Sequence, residues 1–220
     1  MLRLLPTDMW NRGVLAAFLL LWALTSINVP YPKYFWLQHV PTVAFIVALV
    51  LAQNHMQISR LSYTLLMSFM AVHVFGARYL YSYVPYDDWS MALLGLSITD
   101  HFGFERNHYD RLVHFCFGLL LVIPAWRFSR RIVRLDSVWS AAFAFMFIMA
   151  ASALYEIIEW LGAMIMAPDW AESYNGQQGD IWDAQWDMAL AALGAVVGLG
   201  LIGRGWSTAF NRDRVSSRPA

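Results

Sequence analysis

The 220-residue chain is 59% hydrophobic, only 14% charged and formally neutral at pH 7. Soluble domains carry about a quarter charged residues, and the apolar residues here gather in runs too long for a soluble core. A soluble globular domain is therefore excluded, and a polytopic membrane protein of the all-α class is expected. The single cysteine, Cys116, rules out an intrachain disulfide and reads as a small buried hydrophobe.

Six segments read as spans. The first, "VLAAFLLLWALTSINV" at 14–29, follows Arg3 and Arg12 without a small-x-small cleavage site and is taken as an uncleaved span. The second covers 36–53. The third, 61–83, has a polar interior holding His73 and Arg78; leaving it out gives a five-span alternative that upsets the charge pattern below. A long connection to His108 contains "WSMALLGLSI", too short to cross and expected as an interfacial helix or re-entrant piece. The fourth span is 109–128 and the fifth 137–166. The turn-like "APDWAESYNGQQGDI" follows, and the sixth span is 182–203. Trp36, Tyr81, Tyr83, Tyr86, Trp89, Trp170, Trp182 and Trp186 lie near the ends of apolar runs, as interfacial belts do. The expected organisation is one membrane domain over residues 1–205 and a short cytoplasmic tail over 206–220.

Basic residues fix the orientation. Arg3, Arg12, Arg60, Arg127, Arg130, Arg131, Arg134, Arg204, Arg212, Arg214 and Arg218 fall on one side of a six-span topology. The other side has Lys33, Arg106 and Arg111 and most of the acids, among them Asp87, Asp88, Asp100, Glu105, Asp169 and Glu172. The positive-inside rule then places both termini of this multi-pass protein in the cytoplasm.

Topology combined with helical rise brings polar groups to one depth. Asp110 and His114 open the fourth span, four apart on one face and about 6 Å apart along the axis. In "SALYEIIEW", Glu156 and Glu159 come late in the fifth span with Ser152 beside them. Asp180, Asp183 and Asp187 make a stripe at the start of the sixth. Ionisable groups inside spans turn toward the bundle interior or a water-filled cavity. An outward-open pocket lined by His73, Asp110, His114, Glu156, Glu159, Asp183 and Asp187 is expected, and the cytoplasmic half of these helices is nearly free of such groups.

Imidazole and carboxylate ligands at these spacings suit a divalent metal: zinc, manganese or iron. Such an ion generates a hydroxide or polarises a phosphoryl or ester oxygen. The expected ligands are His73, Asp110, His114, Glu156, Asp183 and Asp187. Glu159 is the candidate general base, and Arg78 or Arg111 the anion anchor. Plainer roles stand beside these. Asp180 and Asp183 can cap the sixth helix, Asp110 can be a cap or a partner of Arg78, and the two histidines can be structural. Gly194, Gly198 and Gly200 continue the stripe of Asp187 and Ala191 and permit close helix packing; Pro124 is tolerated within the fourth span.

The blocks "HVFGARYLYSYVPY", "NHYDRLVHFCFG", "YEIIEW" and "GQQGDIWDAQWDM" resemble, in this order, those of the YjdF-like bacterial inner-membrane family, the domain of unknown function 2238. The resemblance covers about 36–203 and implies an inner-membrane protein of six or so spans; it supplies no activity. Asp110, Arg111, His114 and Phe115 are also similar to the helix-opening block of VanZ-like proteins. Asp183 and Asp187 sit as a later pair of that family does, except that Asp187 stands where that family tends to have Asn. That similarity points to cell-envelope or lipid-linked chemistry.

Three functions are weighed on this basis. The first is a metal-dependent pocket acting on a membrane lipid or lipid-linked envelope precursor, with no nucleic-acid partner. The second is a small proton- or ion-coupled transporter, which needs polar groups reaching both faces. The third is a non-catalytic envelope factor whose polar cluster is a buried network fixing the helices.

Overall fold

The structure, a computed structural model, describes residues 4–165 and 178–204. The tail at 206–220, Met166 and most of the turn-like segment with Asp169, Trp170 and Glu172 lie outside the described residues. Within them the chain is all helical. Its α-helices are α1 Met9–Thr25, α2 Pro32–His55, α3 Arg60–Arg78, α4 Tyr86–Leu94, α5 Ile98–Phe102, α6 Tyr109–Phe128, α7 Ser137–Ile165 and α8 Asp183–Arg204. A π-helical turn, Ser129–Val133, extends α6.

Three stretches are long and apolar enough to cross a bilayer: Tyr109–Val133, Ser137–Ile165 and Asp183–Ile202. At 1.5 Å per residue the shortest of these runs about 30 Å, the thickness of a hydrocarbon core. Two shorter apolar stretches, Met9–Thr25 and Leu37–Gln53, accompany them. α3 is as long as these but carries Arg60, His73 and Arg78. Leu154, Ile157, Leu161, Leu193, Val197 and Leu201 are exposed on α7 and α8, an outward apolar face that suits lipid and not water.

Local chemistry sets the boundaries. α1 starts five residues earlier than the sequence pattern indicates, because Asp8 caps it. Its carboxylate accepts the N–H groups of Trp10 at 2.9 Å and Asn11 at 3.2 Å, and it also takes Arg60 of α3 at 2.8 Å. Ser59 caps α3, and Asp136 caps α7 through the N–H groups of Val138 and Trp139. α3 ends at Arg78 and does not continue to Tyr83, since Leu80 and Tyr81 both adopt positive φ, 52° and 57°. The piece expected as interfacial makes most of α4, breaks at Gly95 with φ of 70° and ends at Ile98, the first residue of α5; Met91, Leu93 and Leu94 at the end of α4 are exposed.

α6 is the central element. It packs on α3, α7 and, most extensively, α8, while α1 and α2 pack on α3. One apolar core joins Leu15, Phe18, Leu49, Tyr63, Met67 and Val74. Another joins Val122, Ile123, Ala144, Ile148, Ala191 and Ala195. The α6–α8 contact is made by missing side chains. A Cβ on Gly118 would stand 1.9 Å from the carbonyl oxygen of Ala191, and one on Gly194 would stand 2.1 Å from that of Phe115. Gly198 is packed against Val122 and Leu119. Gly200, expected in the same stripe, has open space beside it.

Candidate functional site

The glycine seam decides which side chains meet above it. On α6, Gly118 lies one turn beyond His114 and two beyond Asp110; on α8, Ala191 lies one turn beyond Asp187 and two beyond Asp183. With the backbones in contact, Asp110 and His114 face Asp183 and Asp187. α7 crosses both and brings Glu156 to the same point. All of this lies at the end of the bundle where α6 and α8 begin.

His114 is the centre. Its Nε2 lies 3.7 Å from Oδ1 of Asp110, 3.7 Å from Oε1 of Glu156 and 3.9 Å from Oδ2 of Asp187. Asp110, His114 and Asp187 each offer a ligand atom, and those atoms lie within 4.8 Å of one another. All three residues are buried; Asp187 is 1% exposed. Among the described residues, Oε1 of Glu156, Oδ1 of Asp187 and Oγ of Ser152 have no hydrogen-bond partner. Such orphaned acceptors are costly in a dry interior unless a cation or proton joins them. Tyr155 packs edge-on against the His114 ring, centroids 5.8 Å apart. Glu159 is near enough to Asp110, Glu156 and Asp187 to feel their charge.

A second layer lies over the first. Arg106 forms a buried ion pair with Asp183, its Nη1 also 3.8 Å from Asp180. Arg111 pairs with Asp180, donates to Nε2 of His108 at 3.2 Å and lies over the Trp186 ring. Burial, followed by the charges of Arg111 and Arg106, pushes His108 below the ordinary histidine range. The ring is therefore neutral and free to accept that bond. Asn107 and Gln178 exchange two hydrogen bonds, of 3.0 and 3.1 Å, and the Asn107 amide donates to the carbonyl of Val84 at 2.8 Å. Asp180 also accepts the N–H of Trp182 at 2.9 Å, the helix-capping role open to it.

The sequence-predicted residues thus divide. Asp110, His114, Glu156 and Asp187 come together, with Glu159 beside them. Asp183 is taken up by Arg106, one turn above Asp187. His73 stands elsewhere: its Nε2 is 2.9 Å from Oγ1 of Thr42 and its Nδ1 is 2.5 Å from the Tyr81 hydroxyl, so both ring nitrogens are occupied. Gly76 makes room for this pair, since a Cβ there would meet the Tyr81 ring at 2.7 Å. Tyr81 is accordingly buried and not part of an interfacial belt. Arg78 donates to the carbonyls of Thr25, Ile27 and Asn28 and ties the end of α1 to α3, so it neither anchors an anion at the cluster nor partners Asp110.

Sequence reasoning did not single out Arg106, Asn107 or Gln178. Arg106 stands four residues before Asp110, on the acidic side where basic residues are rare. That was the available signal.

Among the described residues, six carboxyl groups surround the site, those of Asp110, Glu156, Glu159, Asp180, Asp183 and Asp187, against the guanidiniums of Arg106 and Arg111. Both arginines serve the outer layer. Among the described residues, the inner layer has no arginine or lysine paired to its carboxylates.

A family model described as a predicted membrane protein (DUF2238) matches residues 10–206. The inner membrane protein YjdF of Escherichia coli (strain K12) is 33% identical over 198 residues, covering 89% of this chain and 90% of that protein. No solved structure matches.

Proposed function

The chain belongs to the DUF2238 family of predicted membrane proteins, and from that premise we propose that it is a six-span protein of the bacterial inner membrane with a divalent-metal centre at its outer end. The E. coli relative is an inner membrane protein by name, and the clustering of arginines at the opposite end supports cytoplasmic termini. The ligands are Asp110, His114, Glu156 and Asp187. The ion is zinc, manganese or iron, since the set mixes one imidazole with carboxylates.

The observation that carries this reading is the spacing around His114. In a tetrahedral site with bonds near 2.1 Å, ligand atoms stand about 3.4 Å apart. The three carboxylate oxygens here stand 3.7, 3.7 and 3.9 Å from Nε2, a few tenths wider; the ligand atoms of Asp110, His114 and Asp187 also lie within 4.8 Å of one another, and Glu156 joins them through His114. The unpartnered oxygens of Glu156 and Asp187 belong to the same four residues.

A metal so held polarises a phosphoryl or ester oxygen or lowers the pKa of a bound water. Glu159, near enough to Asp110, Glu156 and Asp187 to feel their charge, is the proton acceptor in the proposal. The substrate class is a lipid or lipid-linked envelope precursor, because the cluster lies in the first two turns of α6 and α8, at the ends of two apolar stretches of span length. A transporter requires polar groups that continue through the bundle, whereas below His114 the facing residues are Gly118, Val122 and Ala125 on α6 with Ala191 and Ala195 on α8. That favours a one-sided site.

The test is a melting experiment. Detergent-purified protein is stripped with chelator, dialysed, and melted with zinc, manganese or iron(II) added back. An ion at about 100 times its Kd stabilises by roughly 2.7 kcal/mol, a rise of several degrees. The same melting temperature with every ion would contradict the reading.

A further inference from the structure

At the other end of the bundle a cavity of about 470 Å³ opens between α2 and α7. Phe45 and Leu49 of α2 form one wall, and Phe143 and Phe147 of α7 the other. Leu66 of α3 and Leu121 of α6 make the floor. The lining is almost wholly apolar until the mouth, where Arg127 and Arg131 stand with Ser59. We infer that this groove is a binding site for one anionic phospholipid, its acyl chain between α2 and α7 and its phosphate on Arg127 and Arg131.

Length argues for an acyl chain. On α6 the groove runs from Phe117 to Arg127, ten residues, or about 15 Å. That is half of a hydrocarbon core of roughly 30 Å, one leaflet. The deep end stops at Phe117 and Ala151, one turn short of His114 and Tyr155. The groove is therefore separate from the carboxylate cluster and closes beneath it. Its volume falls in the usual range for a small-molecule cleft.

Charge argues for the headgroup. Arg131 is exposed, and Arg127 donates to the Ser59 hydroxyl, which fixes its guanidinium at the rim. Ser59 caps α3, so the positive end of that helix points to the same place. Among the described residues, Asp8 pairs with Arg60 and Asp136 caps the start of α7. Two guanidiniums and a helix N-terminus around an apolar slot complement a phosphodiester with a tail. The inference does not depend on the metal reading or on which leaflet the arginine end faces.

The experiment is native mass spectrometry of the full-length protein in detergent, titrated with palmitoyl-oleoyl phosphatidylglycerol or phosphatidylcholine. The expected result is one phosphatidylglycerol adduct per chain, formed in preference to phosphatidylcholine. The R127Q/R131Q double variant should bind about tenfold more weakly, and Ala48→Trp, which fills the slot from α2, should lose the adduct. Arg131→Gln alone, at an exposed position, keeps the Ser59 bond and folds; it should weaken phosphatidylglycerol and leave phosphatidylcholine unchanged. Equal binding of the two lipids, indifference to Arg131→Gln, or an adduct retained in a folded Ala48→Trp protein would each overturn the inference.

Discussion

Gly118 of α6 lies directly against Ala191 of α8, so close that a Cβ on the glycine would meet the alanine carbonyl oxygen at 1.9 Å. Everything above this contact follows from it. The two helices cannot slide or separate without moving Asp110 and His114 away from Asp187. Gly118→Ala should therefore cost about 1–3 kcal/mol through forced separation, and Gly194→Ala a similar amount. Gly200→Ala, with open space beside it, should be close to neutral. Thermal melts in one detergent compare the three; an equal effect at Gly200 would show that the seam is not what matters.

Arg106 and Asp183 form the buried ion pair of the outer layer, with side chains 6% and 5% exposed. Removing one partner strands the other. Arg106→Gln should destabilise by about 3–5 kcal/mol, whereas replacing both residues by apolar ones of similar volume should cost less than either single change. A double-mutant cycle on unfolding measures the coupling; additive effects would mean the pair contributes little.

Asp87 offers a pH test outside the spans. Partial burial pushes its carboxyl up, but bonds from Thr99, through N–H at 2.8 Å and Oγ1 at 2.5 Å, and from Ser97 at 3.2 Å outweigh it. The net shift is downward. A depressed carboxylate contributes stability that is fully present above its unfolded value near 3.9 and is lost as pH falls through the folded value. The α4–α5 segment should hold its amide protection from pH 7 to about 5 and lose it below 4. Asp87→Asn should remove that dependence. Hydrogen exchange of Tyr86–Phe102 amides, corrected for intrinsic rates, checks it.

Helix positions were legible from the sequence because apolar runs of span length have few other uses. The stripes Asp110–His114, Glu156–Glu159 and Asp183–Asp187 were legible because helical periodicity fixes which residues share a face. Partners across long turns were not. His73 reaches Tyr81 only because two non-glycine residues adopt positive φ after Arg78, and no pattern announces that turn. Arg78 finds the carbonyls that end α1, fifty residues away, and Arg106 folds from a connecting segment onto α8. The groove between α2 and α7 arises from the relative placement of four helices, which periodicity does not specify.

The central claim is that Asp110, His114, Glu156 and Asp187 hold a divalent ion. The most direct measurement is metal content by mass spectrometry on detergent-purified protein prepared without chelator, wild type beside His114→Ala and Glu156→Gln. Near-stoichiometric zinc, manganese or iron in the wild type, lost from both variants while their melting remains cooperative, is the predicted result. A folded wild type without metal, or a His114→Ala protein that keeps the wild-type content, would contradict it.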